Sequence, residues 1–115
     1  AERLCSQRAY RNLLLTQPMG YQTSISLVNR AEKIVTDSGG VQREAFFAKK
    51  PCVTVLDYVG WPETMVNGYN QLARPEKADI LEKLSRPVTF DPAYQPFGDG
   101  HSAEKIVSEI RKFLQ

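Results

Sequence analysis

The sequence predicts an α/β fold in which a parallel sheet is flanked by helices. Three observations predict it. Short apolar runs at residues 12–16, 33–36 and 52–56 alternate with longer stretches of helical spacing. Residues 34–49 pass from β-branched residues through Ser38-Gly39-Gly40 into residues that favour helix. Strand, helix and strand with short connections imply a right-handed parallel crossover.

Each element has its own warrant. Leu4, Cys5 and Ala9 over residues 1–9 are spaced as the end of a helix. The apolar run 12–16, bounded by Gln17-Pro18, predicts a buried parallel strand. Met19-Gly20-Tyr21 reads as a turn. Over 23–30, Ile25 and Val28, with Ala31 beyond and Leu27 widening the stripe, predict an amphipathic helix. Residues 33–36 form the next strand and 39–49 a helix that Lys50-Pro51 stops, followed by a strand at 52–56. Residues 57–60 read as a loop, and 61–66 as a short helix with Pro62 in its first turn. A short strand is expected at 70–73 and a helix at 75–84, with Ile80, Leu81 and Leu84 inward. Residues 86–100 hold three of the seven prolines and two glycines, which marks an ordered loop rather than a helix. The last helix, 102–114, carries Ala103, Ile106, Val107, Ile110, Phe113 and Leu114 as one apolar stripe.

Bulk properties narrow the classes. At 115 residues one domain is expected. Hydrophobic content of 42% and charged content of 24% suit a soluble globular chain. The net charge of +2 is scattered, and Arg3, Arg8 and Arg11 read as a solvated helix face rather than a nucleic-acid stripe. No apolar run approaches the ~20 residues that span a bilayer. Residues 1–15 carry arginines where a secretory leader needs an apolar segment. Cys5 and Cys52 make no disulfide framework, and Cys52 within Pro-Cys-Val-Thr-Val reads as a reduced core residue. A cytoplasmic enzyme of bacterial type is the expectation. The chain starts at Ala1 without methionine, as would a domain cut from a longer protein or a processed N-terminus.

The candidate chemistry centres on the glycine turn. A strand entering a helix through glycines is a phosphate-binding arrangement: backbone approaches the ligand closely, and the first N–H groups of the helix lack partners. With Ser38 as cap, Gly39 and Gly40 occupy the first turn. Glu44 follows four residues after Gly40 on the same face, roughly 6 Å along the axis. Phosphates on the glycines and ribose hydroxyls on Glu44 would suit one ligand. A helix cap with an exposed glutamate accounts for the same residues, and Ser-Gly-Gly alone is a weak motif. Asp37 beside an anion reads as a turn former. His101, the single histidine, sits behind Gly98-Asp99-Gly100 at the start of the last helix, where a structural role outweighs a catalytic one. Glu63, behind Pro62, suits a cap, a bond to loop backbone or a ligand contact. No cysteine–histidine cluster has metal spacing, so no metal is expected.

The segment Thr36-Asp37-Ser38-Gly39-Gly40-Val41-Gln42-Arg43-Glu44-Ala45 closely resembles the signature of the UDP-N-acetylglucosamine 2-epimerase family. Lys50-Pro51-Cys52-Val53, Trp61-Pro62-Glu63-Thr64 with Gly68, and Pro96-Phe97-Gly98-Asp99-Gly100-His101 follow in the family's order. Pro18-Met19-Gly20-Tyr21 is similar to the family's turn before the helix that precedes the signature. The resemblance runs from about residue 10 to the end. It implies a Rossmann-like domain, the second half of a GT-B-type two-domain architecture with UDP-sugar between the halves. By the same resemblance Ser38, Gly39 and Gly40 hold the diphosphate and Glu44 the ribose. Partners implied are the UDP-sugar, a preceding N-terminal domain and a second copy in a homodimer, with no cofactor, nucleic acid or membrane.

Two departures matter. Where the best-known bacterial enzymes have an arginine near the nucleotide's anionic side, this chain has Trp61, which carries no charge. Trp61 could stack on a ligand ring or plug the domain edge, with packing favoured; tryptophan also occurs in relatives acting on other UDP-2-acetamido sugars, so the sugar's identity is left open. Met19 and Ser24 stand where those enzymes often use glutamine and phenylalanine near the uracil. The family's acid–base groups belong to the other domain or to sequence before Ala1, so no catalytic residue is expected here. A glycosyltransferase of the same architecture would share the diphosphate logic, and a non-catalytic domain would use Ser38 only as a cap.

Overall fold

Three short strands pair side by side in the order β1–β2–β3, all parallel. A computed structural model describes residues 12–114, so the helix end expected over 1–9 lies outside the described residues, as does Cys5. In chain order the elements are α1 (Tyr21–Arg30), β1 (Ile34–Thr36), α2 (Gly39–Phe47), β2 (Cys52–Thr54), α3 (Pro62–Met65), a 3-10 turn (Val66–Gly68), β3 (Asn70–Leu72), α4 (Lys77–Ser85) and α5 (Ser102–Phe113). The register pairs Ile34 with Cys52 and Cys52 with Asn70.

Successive side chains of a strand point to opposite faces, and this sorts the layers. Cys52 faces a core of Val28, Ile34 and Ala45, beneath α1 and α2. Thr54 and Asn70 face the same way, toward Gln42 of α2. Gln71 faces the other way, where its Nε2 donates to the Lys83 carbonyl of α4 at 3.2 Å. All three residues of β2 are therefore buried, as a strand covered on both faces requires. The expected α/β class is the observed one.

Two expectations need correction. Residues 12–16 do not form a strand, and Leu13, Leu14 and Leu15 are exposed. A strand needs a ladder partner, and among the described residues none pairs with this run. Leu81 is likewise exposed, while Ile80 and Leu84 are half-buried. The α4 stripe is narrower than its spacing suggested, with Leu81 turned to solvent.

The long loop is anchored by aromatic side chains. Phe90 stacks on buried Tyr69 with ring centroids 4.4 Å apart. The Tyr69 hydroxyl accepts from the Asp91 backbone N–H at 2.6 Å. The Tyr94 hydroxyl donates to the Glu63 carbonyl at 2.9 Å. Gly98 and Gly100 adopt φ of 84° and 87°, the left-handed region that suits glycine. Asp99 between them accepts from His101 N–H and from Lys105 Nζ, and the Lys105 bond holds its carboxyl below the usual range. His101 is the N-cap residue of α5, exposed and 3.1 Å from Glu104.

The apolar stripe of α5 is present but uncovered: Ile106, Val107, Ile110, Phe113 and Leu114 are all exposed. Among the described residues no helix is long and apolar enough to cross a membrane. Nor does any group of three metal-binding side chains occur among them.

Cys52 is buried, and burial pushes its thiol up to about 11 from an ordinary 9.0, partly offset by a bond with Thr54. The unfolded chain therefore loses this proton first. Stability from this group is full below about pH 9 and falls as pH rises toward about 11, by roughly 2–3 kcal/mol in all. Urea midpoints from pH 8 to 11 should show the decline, and Cys52→Ala should flatten it. Parallel slopes for the two proteins would exclude Cys52 as its source.

Candidate functional site

The carboxyl ends of β1 and β2 open at one edge of the sheet, and the conspicuous residues gather there. From β1 the chain turns through Asp37 and Ser38 into α2. The turn is made by Thr36, whose Oγ1 accepts from the Ser38 N–H at 3.0 Å. Asp37 sits in the bend itself, exposed and without a side-chain bond among the described residues.

Ser38 is the N-cap of α2, with extended backbone and its Oγ accepting from the Val41 N–H at 3.5 Å. Its carbonyl takes the Gln42 N–H at 3.2 Å. The N–H groups of Gly39 and Gly40 have no partner among the described residues, and both glycines are exposed. The cap and the open amides thus coexist: Ser38 serves Val41 and leaves the two glycine N–H groups without a partner among the described residues.

The protein itself does not demand these glycines. Neither has positive φ. A Cβ on Gly39 would meet only the Trp61 Nε1 at 3.5 Å, and one on Gly40 only the Ser38 Oγ at 3.7 Å. Both are ordinary contacts. Space is kept open above the helix start.

Glu44 is half-buried one turn further along α2. It lines a hollow of about 230 Å³ between α1 and α2 with Tyr21, Ile25, Asn29 and Phe47. Among the described residues its carboxylate makes neither an ion pair nor a hydrogen bond. Met19 and Ser24 do not line this hollow.

Trp61 arrives from the loop after β2 and lies beside Gly39. Its ring carries the Arg43 guanidinium at 4.2 Å and stands 6.3 Å from Phe97. Trp61 thus packs between Arg43 and Phe97 at the site's rim. Glu63 sits in the first turn of α3. Its Oε2 is buried without a partner among the described residues, so the expected cap or loop-backbone bond is not made by the carboxylate.

Beneath the site runs a buried polar network that the sequence did not disclose. Thr54 Oγ1 donates to Asn70 Oδ1 at 2.7 Å. Asn70 Nδ2 donates to Gln42 Oε1 at 3.3 Å and to Thr64 Oγ1 at 3.2 Å. Thr64 then donates from Oγ1 to the Trp61 carbonyl at 2.8 Å. One asparagine therefore ties α2, β2 and the Trp61 loop together. A polar Asn-Gln pair at the start of a short strand was the one available signal. Arg43 was likewise missed, although it lies four residues after Gly39 and so on its face.

Fold and site together define a Rossmann-like α/β protein with an open, glycine-rich helix start at the carboxyl edge of its sheet. The profile described as UDP-N-acetylglucosamine 2-epimerase matches residues 2–111, and the chain belongs to that family. A UDP-N-acetylglucosamine 2-epimerase homolog of Methanococcus maripaludis is 47% identical over 89% of this chain and 29% of its own length. The UDP-2,3-diacetamido-2,3-dideoxy-D-glucuronate 2-epimerase of Pseudomonas aeruginosa is 38% identical over 83% of this chain and 27% of its own. Among solved structures, the Methanocaldococcus jannaschii UDP-GlcNAc 2-epimerase in complex with UDP-GlcNAc and UDP superposes with a TM-score of 0.77. It is 31% identical, covering 96% of this chain and 31% of that one. The chain therefore spans under a third of the length of these relatives.

Proposed function

We propose that this chain is a single Rossmann-like domain, the UDP-binding C-terminal part of a two-domain UDP-N-acetylglucosamine 2-epimerase. Ser38, Gly39 and Gly40 hold the diphosphate, and Glu44 holds the ribose. The observation that carries this is the pair of glycine N–H groups, unpartnered among the described residues, with unfilled space above them. Family membership and the UDP-bound neighbour support it.

The whole enzyme would interconvert UDP-N-acetylglucosamine and UDP-N-acetylmannosamine. A base takes the C2 proton as the C1–O bond breaks and UDP leaves with the electron pair. UDP then re-adds at C1 while a proton returns to the other face of C2. The residues here act on the leaving group. Glycine N–H groups and the helix dipole meet charge growing on the diphosphate and keep UDP in place between the two steps. The groups that move the proton lie outside this chain. The exposed α5 stripe is where the rest of a longer chain would pack. We place the working enzyme in the cytoplasm as a homodimer supplying cell-envelope polysaccharide synthesis.

A second sugar is favoured by one observation. Trp61 stands where the resemblance puts an arginine in the best-known bacterial enzymes, and a relative named for a UDP-2,3-diacetamido-2,3-dideoxy-D-glucuronate is 38% identical. An epimerase for another UDP-2-acetamido sugar is the alternative. Trp61 and Glu63 are the residues nearest to that choice.

Titrating the labelled chain with UDP should shift the Gly39 and Gly40 amides and raise the melting temperature. Shifts confined elsewhere would overturn the site. The isolated chain should turn over nothing, and measurable epimerisation would show the catalytic groups to be misplaced. Conversion of UDP-sugar by the full-length enzyme without an acceptor excludes a glycosyltransferase.

A further inference from the structure

We propose that Arg43, held on the face of Trp61, is the cation of this site and takes the outer charge of a diphosphate lying on Gly39 and Gly40. This rests on the nucleotide-binding reading above and adds a residue to it.

Four observations carry it. Arg43 is exposed and makes no ion pair among the described residues, so its charge is unspent. Its guanidinium lies 4.2 Å from the centre of the Trp61 ring. That contact localises a flexible side chain without consuming the N–H donors that match phosphate oxygens. The same indole places its Nε1 3.5 Å from the position a Gly39 Cβ would occupy. One ring therefore positions the cation and sets its own N–H beside the glycine floor. Finally, Trp61 is not adrift: its carbonyl accepts from both Thr64 N and Thr64 Oγ1, and Thr64 is tied through Asn70 to Gln42, the neighbour of Arg43.

The arrangement is polar in a useful sense. Arg43 lies four residues beyond Gly39, and Glu44 four beyond Gly40, so cation and carboxylate flank the glycine face. A diphosphate is drawn toward the Arg43 side and repelled from Glu44. A hydroxyl-bearing pentose has the opposite preference. The pair fixes the direction in which a nucleoside diphosphate lies across the helix start.

The test compares UDP, UMP and uridine on this chain and on Arg43→Gln, Arg43→Lys and Trp61→Phe, read by amide shifts at Gly39 and Gly40. Losing a charge-assisted bond to phosphate should weaken UDP about tenfold in Arg43→Gln, UMP clearly less, and uridine not at all. The salt dependence of UDP binding should become shallower in the same variant. Arg43→Lys should recover part of the loss, and Trp61→Phe should lose less than Arg43→Gln because a ring remains under the cation. Equal weakening of UDP and uridine, or UDP affinity in Arg43→Gln within about twofold of the parent, would leave Arg43 as a packing partner of Trp61 only and overturn the proposal. Failure of the parent chain to shift Gly39 and Gly40 with UDP would instead overturn the nucleotide reading itself.

Discussion

Gly40→Ala should leave the fold as stable as before, or more so by up to about 1 kcal/mol, while UDP affinity falls at least roughly tenfold. The two effects run in opposite directions for a physical reason. Glycine inside a helix carries extra backbone entropy in the unfolded chain, so alanine stabilises wherever its methyl fits. Here it fits: the nearest atom to the added carbon is Ser38 Oγ at 3.7 Å. The same methyl occupies the space in which a phosphate would approach the Gly40 N–H. Thermal melting and UDP titration of the one variant separate stability from binding. A variant that binds UDP normally would mean that the open space above the helix is not where the diphosphate lies. Gly39→Ala has the added complication of Trp61 Nε1 at 3.5 Å, so Gly40 is the cleaner test.

Asn70→Leu should destabilise the fold by about 3 kcal/mol, lowering the melting temperature by roughly 10 °C or more. Leucine has as many side-chain heavy atoms as asparagine and leaves no cavity, so the cost lies in the stripped partners. Asn70, Gln42, Thr54 and Thr64 are all buried. Removing the amide leaves the Thr54 hydroxyl without its acceptor and the Gln42 Oε1 without its donor, and the Gln42 Nε2 is already unpartnered among the described residues. Buried polar groups stripped of partners lose more than a surface bond is worth. Thr54→Val, which removes a single donor, should cost only about 1 kcal/mol. Equal losses for the two variants would show that Asn70 is not the hub. Because Thr64 holds the Trp61 carbonyl, Asn70→Leu should also loosen the indole, visible as altered tryptophan fluorescence before unfolding.

Much of the fold was legible because it is written in local patterns. The strand–glycine–helix passage at 34–49 needs only β-branched residues, a serine cap and two glycines in succession. The structure places β1, Ser38 and α2 there within two residues of expectation. The loop at 86–100 and the turn before α5 follow from proline and glycine in the same way. The run at 12–16 misled because apolar residues state a wish for burial, whereas a strand exists only with a partner to bond. Leu81 misled for a related reason: helical spacing defines a stripe, but the neighbour decides how much of it is covered.

By itself the sequence determined the α/β class, the capped helix start with its open glycines, and the stripe of the last helix. Each depends on residues within one or two turns of one another. Only the tertiary structure decided that Arg43 rests on Trp61, that Asn70 joins Gln42 to Thr64, and that Glu63 keeps a buried oxygen without a partner among the described residues. Gln42 and Asn70 are 28 positions apart and meet because parallel strands bring their helices over one sheet face. Local preference is set by a residue's own backbone and near neighbours. A contact across the fold depends on the geometry of every element between, and no short window of sequence contains it.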